Sequence, residues 1–159
     1  MTNERLRHCK ALYLEGIRDG RIHAALAAHV GDRYVQHSTG VENGKEGFVA
    51  FFEAFVARNP TREIELVRAF DDGRHVFVHA YQRLNEGAAE WVTMDMFDTD
   101  AEGRAIEHWD CIVPFQGPNP SGRTQVDGAT LITDLDQTEA NAATVRAMVR
   151  DLLMKGGDP

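Results

Sequence analysis

The sequence predicts an α+β domain: a curved antiparallel sheet with helices from the N-terminal half laid over one face, enclosing one pocket. Three observations predict it. Apolar residues recur at helical spacing up to Asn59-Pro60 and alternate at a spacing of two from Ile64 onward; these are the periods that helices and strands impose on a buried face. Short turn sequences cut the alternating half into four runs, leaving no room for the long crossovers that parallel neighbours need. Phe48, Phe51, Phe52 and Phe55 form a wide helical stripe that must be covered by an apolar surface. Helices first and strands afterwards place the helices together on the sheet.

Taken in order, the first helix is capped by Thr2 or Asn3, carries Leu6, Cys9, Tyr13 and Ile17, and stops at Asp19-Gly20. An Ala-rich helix runs from about Arg21 to His29 and ends at Gly31. Tyr34-Val35-Gln36-His37 is a brief extended piece leading into a loop, Ser38 to Gly44. The phenylalanine helix covers about Lys45 to Arg58. Four strands follow: one ends at Asp72-Gly73, and the others are Arg74–Leu84, Trp91–Asp98 and Ala105–Val113. Residues 1–115 form the pocket domain on this reading. Residues 116–159 form an arm rich in Gly and Pro and an amphipathic helix, capped by Thr138 and packing on the domain or on a partner subunit.

At 159 residues, 43% hydrophobic and 26% charged, the chain can bury one core and is neither disordered nor fibrous. A net charge of -8 without a Lys/Arg cluster speaks against nucleic acid, whose affinity for proteins comes largely from cations on phosphates. No window reaches the ~20 apolar residues of a membrane span, and Met1–Lys10 is too polar for a secretory signal, so the expected location is cytoplasmic. Cys9 and Cys111 are expected as buried, reduced thiols.

Strand parity groups the candidate chemistry. His108 and Asp110 share one face of the last strand, Glu107 and Trp109 the other; in the strand before, Thr93, Asp95 and Phe97 share a face. If those faces point at the helices, an imidazole and two carboxylates meet in the pocket, where burial is costly unless they are paired. If they point outward, they are merely solvated. Gln36 and His37 enter from the early extended piece, and His79 from mid-strand, where a hydrogen-bonded core histidine is the plainer reading. His8, His23, His29 and His75 read as surface residues. Phosphate loops, paired cysteine ligands and a nucleophile elbow are absent from the sequence. His108-x-Asp110 with His37 or His79 has the donor types of a two-histidine, one-carboxylate iron site.

With these motifs the chain resembles the SnoaL-like polyketide cyclase family, of the nuclear transport factor 2-like (cystatin-like) and ketosteroid isomerase-like fold. The resemblance covers roughly residues 3–115. It rests on Tyr34-Val35-Gln36-His37, Gly44-Lys45-Glu46-Gly47-Phe48, Asp95-Met96-Phe97 and, above all, Gly103-Arg104-Ala105-Ile106-Glu107-His108-Trp109-Asp110. It implies a cone-shaped sheet, a deep apolar pocket, no metal or organic cofactor, and a homodimer. It also implies that Asp110 is the acid–base residue with His108 beside it. Thr93, Asp95 and Gln36 stand where the cyclases carry a glutamine, a histidine and an asparagine, which leaves the polyketide substrate open.

The expected activity is therefore cofactor-free proton transfer on a small apolar carbonyl compound: an aldol-type cyclisation, an isomerisation or a lyase step. Asp110 would be the base, His108 its partner and Asp95 a third catalytic group. Gln36, His37, His79, Thr93 and Tyr34 would bind substrate among Phe48, Phe52 and Trp91. The alternatives are a non-catalytic binding or dimerisation module of the same fold and a His/Asp-ligated metal enzyme.

Overall fold

The computed structural model describes residues 3–156. It divides into two compact units, Met1–Gly128 and Ala129–Pro159. In the first unit, helix α1 (Glu4–Ala11) continues as a wider π-helical segment, Leu12–Arg18. The Asn3 side chain caps it by accepting from the Leu6 N–H at 3.2 Å; Thr2, the other candidate cap, lies outside the described residues. Helix α2 (Ile22–His29) passes directly into strand β1 (Val30–Gln36). Gly31 is thus a strand residue rather than a helix stop. A Cβ there would come within 2.6 Å of the Ile106 side chain and 2.7 Å of the Asp100 carboxylate, so those side chains occupy the space a larger residue would need. Helix α3 (Gly44–Arg58) precedes β2 (Arg62–Asp71), β3 (His75–Leu84), β4 (Ala89–Thr99) and β5 (Ala105–Pro114).

The sheet order is β1-β5-β4-β3-β2. The last four strands are the antiparallel meander that their turns require. The fifth strand was not expected. The early extended piece is seven residues long and pairs with β5 in parallel, making the sheet mixed. Its crossover is the whole stretch from α3 to β4, long enough for a parallel connection.

The core lies between the helices and one face of the sheet. Cys9, Leu12, Tyr13, Ala25, Phe48, Val76, Val78, Ala80 and Phe97 are buried there. Phe48 is buried, packing edge-on to Tyr34 and tilted on Phe52, whereas Phe51, Phe52 and Phe55 of the same stripe are only half-buried. Two surface assignments are overturned: His8 and His29 are buried, with their Nδ1 atoms 3.0 Å apart across α1 and α2. Cys111 moves the other way. It is exposed on the outer face of β5, whereas Cys9 is fully buried, and both thiols are free.

The second unit contains a short turn at Leu135–Gln137, helix α4 (Thr138–Met148) and a π-helical end, Val149–Met154. Gln137, not Thr138, is its N-cap, and the Thr138 hydroxyl donates back to the Leu135 carbonyl at 2.7 Å. Val145, Met148, Val149 and Leu152 of this unit are exposed. No described helix is long and apolar enough to cross a membrane.

Candidate active site

Register decides which side chains meet. Asp95 on β4 stands opposite Asp110 on β5, and Phe97 stands opposite His108. Val78 of β3 lies beside Asp95, so the face carrying Val76, Val78 and Ala80 also carries Thr93, Asp95, His108 and Asp110. This is the face under the helices, and the alternating partner residues Met94, Met96, Trp109 and Cys111 lie on the outer one.

On the sheet's free side, β1 runs beside β5 with Gln36 level with His108. The same alternation sends Tyr34 and Gln36 inward and carries on to Ser38 just past the strand; all three are buried. His37 therefore faces out. It is exposed, stacks flat on Trp109 at 4.9 Å and bonds Glu107 at 2.8 Å. His79 also leaves the site, because it lies on the outer face of β3, where its Nδ1 accepts from the Arg68 guanidinium at 2.9 Å. Burial and the Arg68 charge both hold its pKa below the ordinary histidine value. Neither histidine can line the pocket, and the two-histidine metal centre loses its second histidine.

What converges is one hydrogen-bonded network. His108 Nε2 is 3.0 Å from Asp95 Oδ1, and His108 Nδ1 is 2.8 Å from Gln36 Oε1. The Ser38 backbone N–H donates to Gln36 Oε1 at 3.3 Å, which fixes that amide with its oxygen toward the ring. Both ring nitrogens thus face oxygen atoms, which anchors the ring in the network. The Tyr13 hydroxyl, from the π-helical segment, donates to Asp95 Oδ2 at 2.9 Å and lies 2.9 Å from Thr93 Oγ1. Burial first, and then the Asp95 charge, push the Tyr13 phenol well above its ordinary pKa, so it stays a donor. Asp95 is 4% exposed and His108 7%, a burial that such pairing must offset.

Asp110 sits at the edge of this network. Its Oδ2 accepts from the Ser38 hydroxyl at 2.6 Å, and Ser38 Oγ is 3.3 Å from His108 Nδ1. The expected direct pairing of His108 with Asp110 is replaced by this serine bridge. Sequence reading missed Ser38; only the knowledge that β1 continues alongside β5 would have put it on the same face as Asp110.

Asp110 also joins two spaces. Behind it is a cavity of about 30 Å³ lined by Tyr13, Tyr34, Phe48, Phe52, Asp95 and His108, among others. In front is a groove of about 320 Å³ lined by Val41, Phe51, Phe52, Phe55, Trp91 and Ile112 together with Ser38. Tyr34 is 5% exposed, and burial, then the Asp95 charge, raise its phenol pKa. Among the described residues no hydrogen bond of ordinary geometry reaches its hydroxyl, although Gln36 lies close enough to favour the ionised form.

Asp95, His108 and Asp110 also offer one ligand atom each within 4.8 Å of one another. Both Asp95 oxygens and both His108 nitrogens already have partners, so an ion there would have to displace those hydrogen bonds. The trio fits its hydrogen bonds better than it fits an ion.

Residues 11–108 match the family described as SnoaL-like domain. No curated protein matches the sequence. Among solved structures, a proposed polyketide cyclase from Bacillus cereus superposes with a TM-score of 0.61 at 16% identity, over 69% of this chain and 74% of that one. IdmH, a proposed polyketide cyclase from Streptomyces antibioticus, gives 0.57 at 18%, over 69% and 92%. A LEH-like epoxide hydrolase from M. tuberculosis gives 0.55 at 21%, over 69% and 82%. At these identities the structures share the fold. Asp110 stands two residues past the matched segment, on the strand that carries its last residue, His108. The chain belongs to the SnoaL-like domain family.

Proposed function

We propose that the protein is a cofactor-independent acid–base enzyme that acts on a small apolar carbonyl compound, in an aldol-type cyclisation, an isomerisation or a lyase step. The observation that carries this reading is the position of Asp110. It is a half-buried carboxylate where an apolar, aromatic groove meets a cavity lined by buried polar groups. A ligand in the groove would bring its reacting carbon to Asp110, and the walls would exclude water from the proton transfer.

Asp110 removes a proton α to the carbonyl. The C–H bond breaks, an O–H bond forms on the carboxylate, and the electron pair moves onto the carbonyl oxygen. The Tyr34 hydroxyl, kept protonated by burial, is the donor that meets the developing charge. His108, Asp95, Tyr13 and Gln36 hold the floor of the site rigid. Positioned proton transfer of this kind contributes about 10²–10⁴ in rate. The polyketide cyclases among the structural relatives support carbonyl chemistry as the class.

The test is α-hydrogen exchange of 2-tetralone and 2-indanone in D₂O, followed by proton NMR. Wild-type protein accelerates the exchange, and Asp110→Asn lowers the rate by about 10² or more. An Asp110→Asn protein that exchanges at the wild-type rate removes the base assignment. Ketones that raise the melting temperature without exchanging would identify a binding module instead.

A further inference from the structure

We infer that Ser38 is the positioning residue of this site: its hydroxyl holds Asp110 by Oδ2 and assigns Oδ1 as the oxygen that takes the substrate proton. The inference rests on the reading of Asp110 as the base. An aspartate side chain turns freely about its last torsion unless something holds the carboxylate plane. Here one contact does so. The Ser38 hydroxyl donates to Oδ2 at 2.6 Å, the short distance of a charge-assisted bond. Among the described residues, Oδ1 receives no comparable donor.

Ser38 is itself fixed. It is 9% exposed, follows the last residue pair of β1 beside β5, and is anchored where the His37 N–H donates to the His108 carbonyl at 3.0 Å. Its own N–H bonds Gln36 Oε1. Among the described residues, Ser38 is the member of the network that hydrogen-bonds Asp110, so this hydroxyl joins the base to the Gln36–His108–Asp95 chain.

The same hydroxyl has a second acceptor, Gln36 Oε1 at 3.1 Å. When Oδ1 gains the substrate proton and Asp110 becomes neutral, the pull of Oδ2 on the serine hydrogen weakens. The hydrogen can then turn to Gln36, and it returns when Asp110 gives up its proton. No net proton passes through Ser38; the turn adapts the site to both charge states of the base.

The experiment measures 2-tetralone exchange for wild type, Ser38→Ala, Ser38→Thr and Asp110→Asn, with a melting curve for each. Ser38→Ala is expected to lower kcat by about 10- to 100-fold, the cost of a base misplaced by about an ångström. Its KM should stay within about twofold, because the change removes one hydroxyl from the groove wall and leaves the aromatic lining of Phe51, Phe52, Phe55 and Trp91 in place. Ser38→Thr, which keeps the hydroxyl, should recover most of kcat. If Ser38→Ala keeps the wild-type kcat while Asp110→Asn is inactive, the inference fails and the base assignment stands. If Ser38→Thr is as slow as Ser38→Ala and both melt early, Ser38 is a packing residue and the inference fails. If Asp110→Asn is fully active, or wild type does not exchange, the functional reading fails and takes Ser38's role with it.

Discussion

Gln36 and His108 come from strands 72 residues apart in sequence, stand level in a parallel pair, and join their side chains at 2.8 Å. That contact ties the two halves of the chain together inside the pocket. It also completes the buried Asp95–His108 pair, whose carboxylate accepts from Tyr13 as well.

Breaking the pair should be costly. His108→Ala leaves Asp95 buried with one partner lost, which is expected to destabilise the fold by about 3 kcal/mol or more. The double variant with Asp95→Asn should regain part of that loss, since a neutral amide needs less compensation. Urea denaturation of the three proteins checks this, and equal midpoints for wild type and His108→Ala would contradict it.

The thiols should separate cleanly under a disulfide reagent. Cys9 is fully buried and its thiol is pushed up to about 12 by burial alone, while Cys111 is exposed. Because the thiolate is the reactive form, one equivalent should react in the native protein and the second only in denaturant. Two fast equivalents in native buffer would count against the burial of Cys9.

Acid should weaken the fold through His8. Burial, then the Arg7 and His29 charges, lower its pKa from the ordinary 6.5, against weaker opposing pulls from Glu4 and Asp100. A histidine depressed in the folded state takes up its proton more readily when unfolded, so stability is complete above about pH 6.5 and falls as pH drops below it. His79 is lowered by burial and Arg68 and acts in the same direction. The urea midpoint should therefore fall between about pH 7.5 and about pH 5.5, and less steeply in His8→Gln. A midpoint that rises on acidification would refute this.

Gly47 should tolerate no side chain. A Cβ on it would lie 2.0 Å from the Glu42 carbonyl oxygen, a backbone atom that cannot swing away. Gly47→Ala should cost about 1–3 kcal/mol and shift the start of α3, read by thermal melting. Gly73→Ala is the contrasting control for crowding, because nothing lies within 4 Å there, although its positive φ carries its own backbone strain.

Much of the site was legible because side chains alternate regularly along β4 and β5 where they build it. His108 with Asp110, and Thr93 with Asp95, were paired from spacing alone, and the phenylalanine stripe announced what covers them. Tyr34, Phe48, Phe52 and Trp91 also reach the cavity or groove. His37, His79 and Cys111 were misplaced because alternation groups residues without saying which group faces the core. In β1, parity sets His37 against Gln36, so placing one inward sends the other out to Trp109.

The sequence by itself determined the order of the elements, the meander, and which residues travel together on each strand, because those follow from local periods and turn chemistry. The tertiary structure alone decided that the short early strand adds to β5 in parallel. That non-local pairing, 72 residues apart, leaves no periodic trace in the chain. It put Gln36 and Ser38 beside His108 and Asp110, and so it made a hydrogen-bonded site out of residues that the sequence could only list by strand.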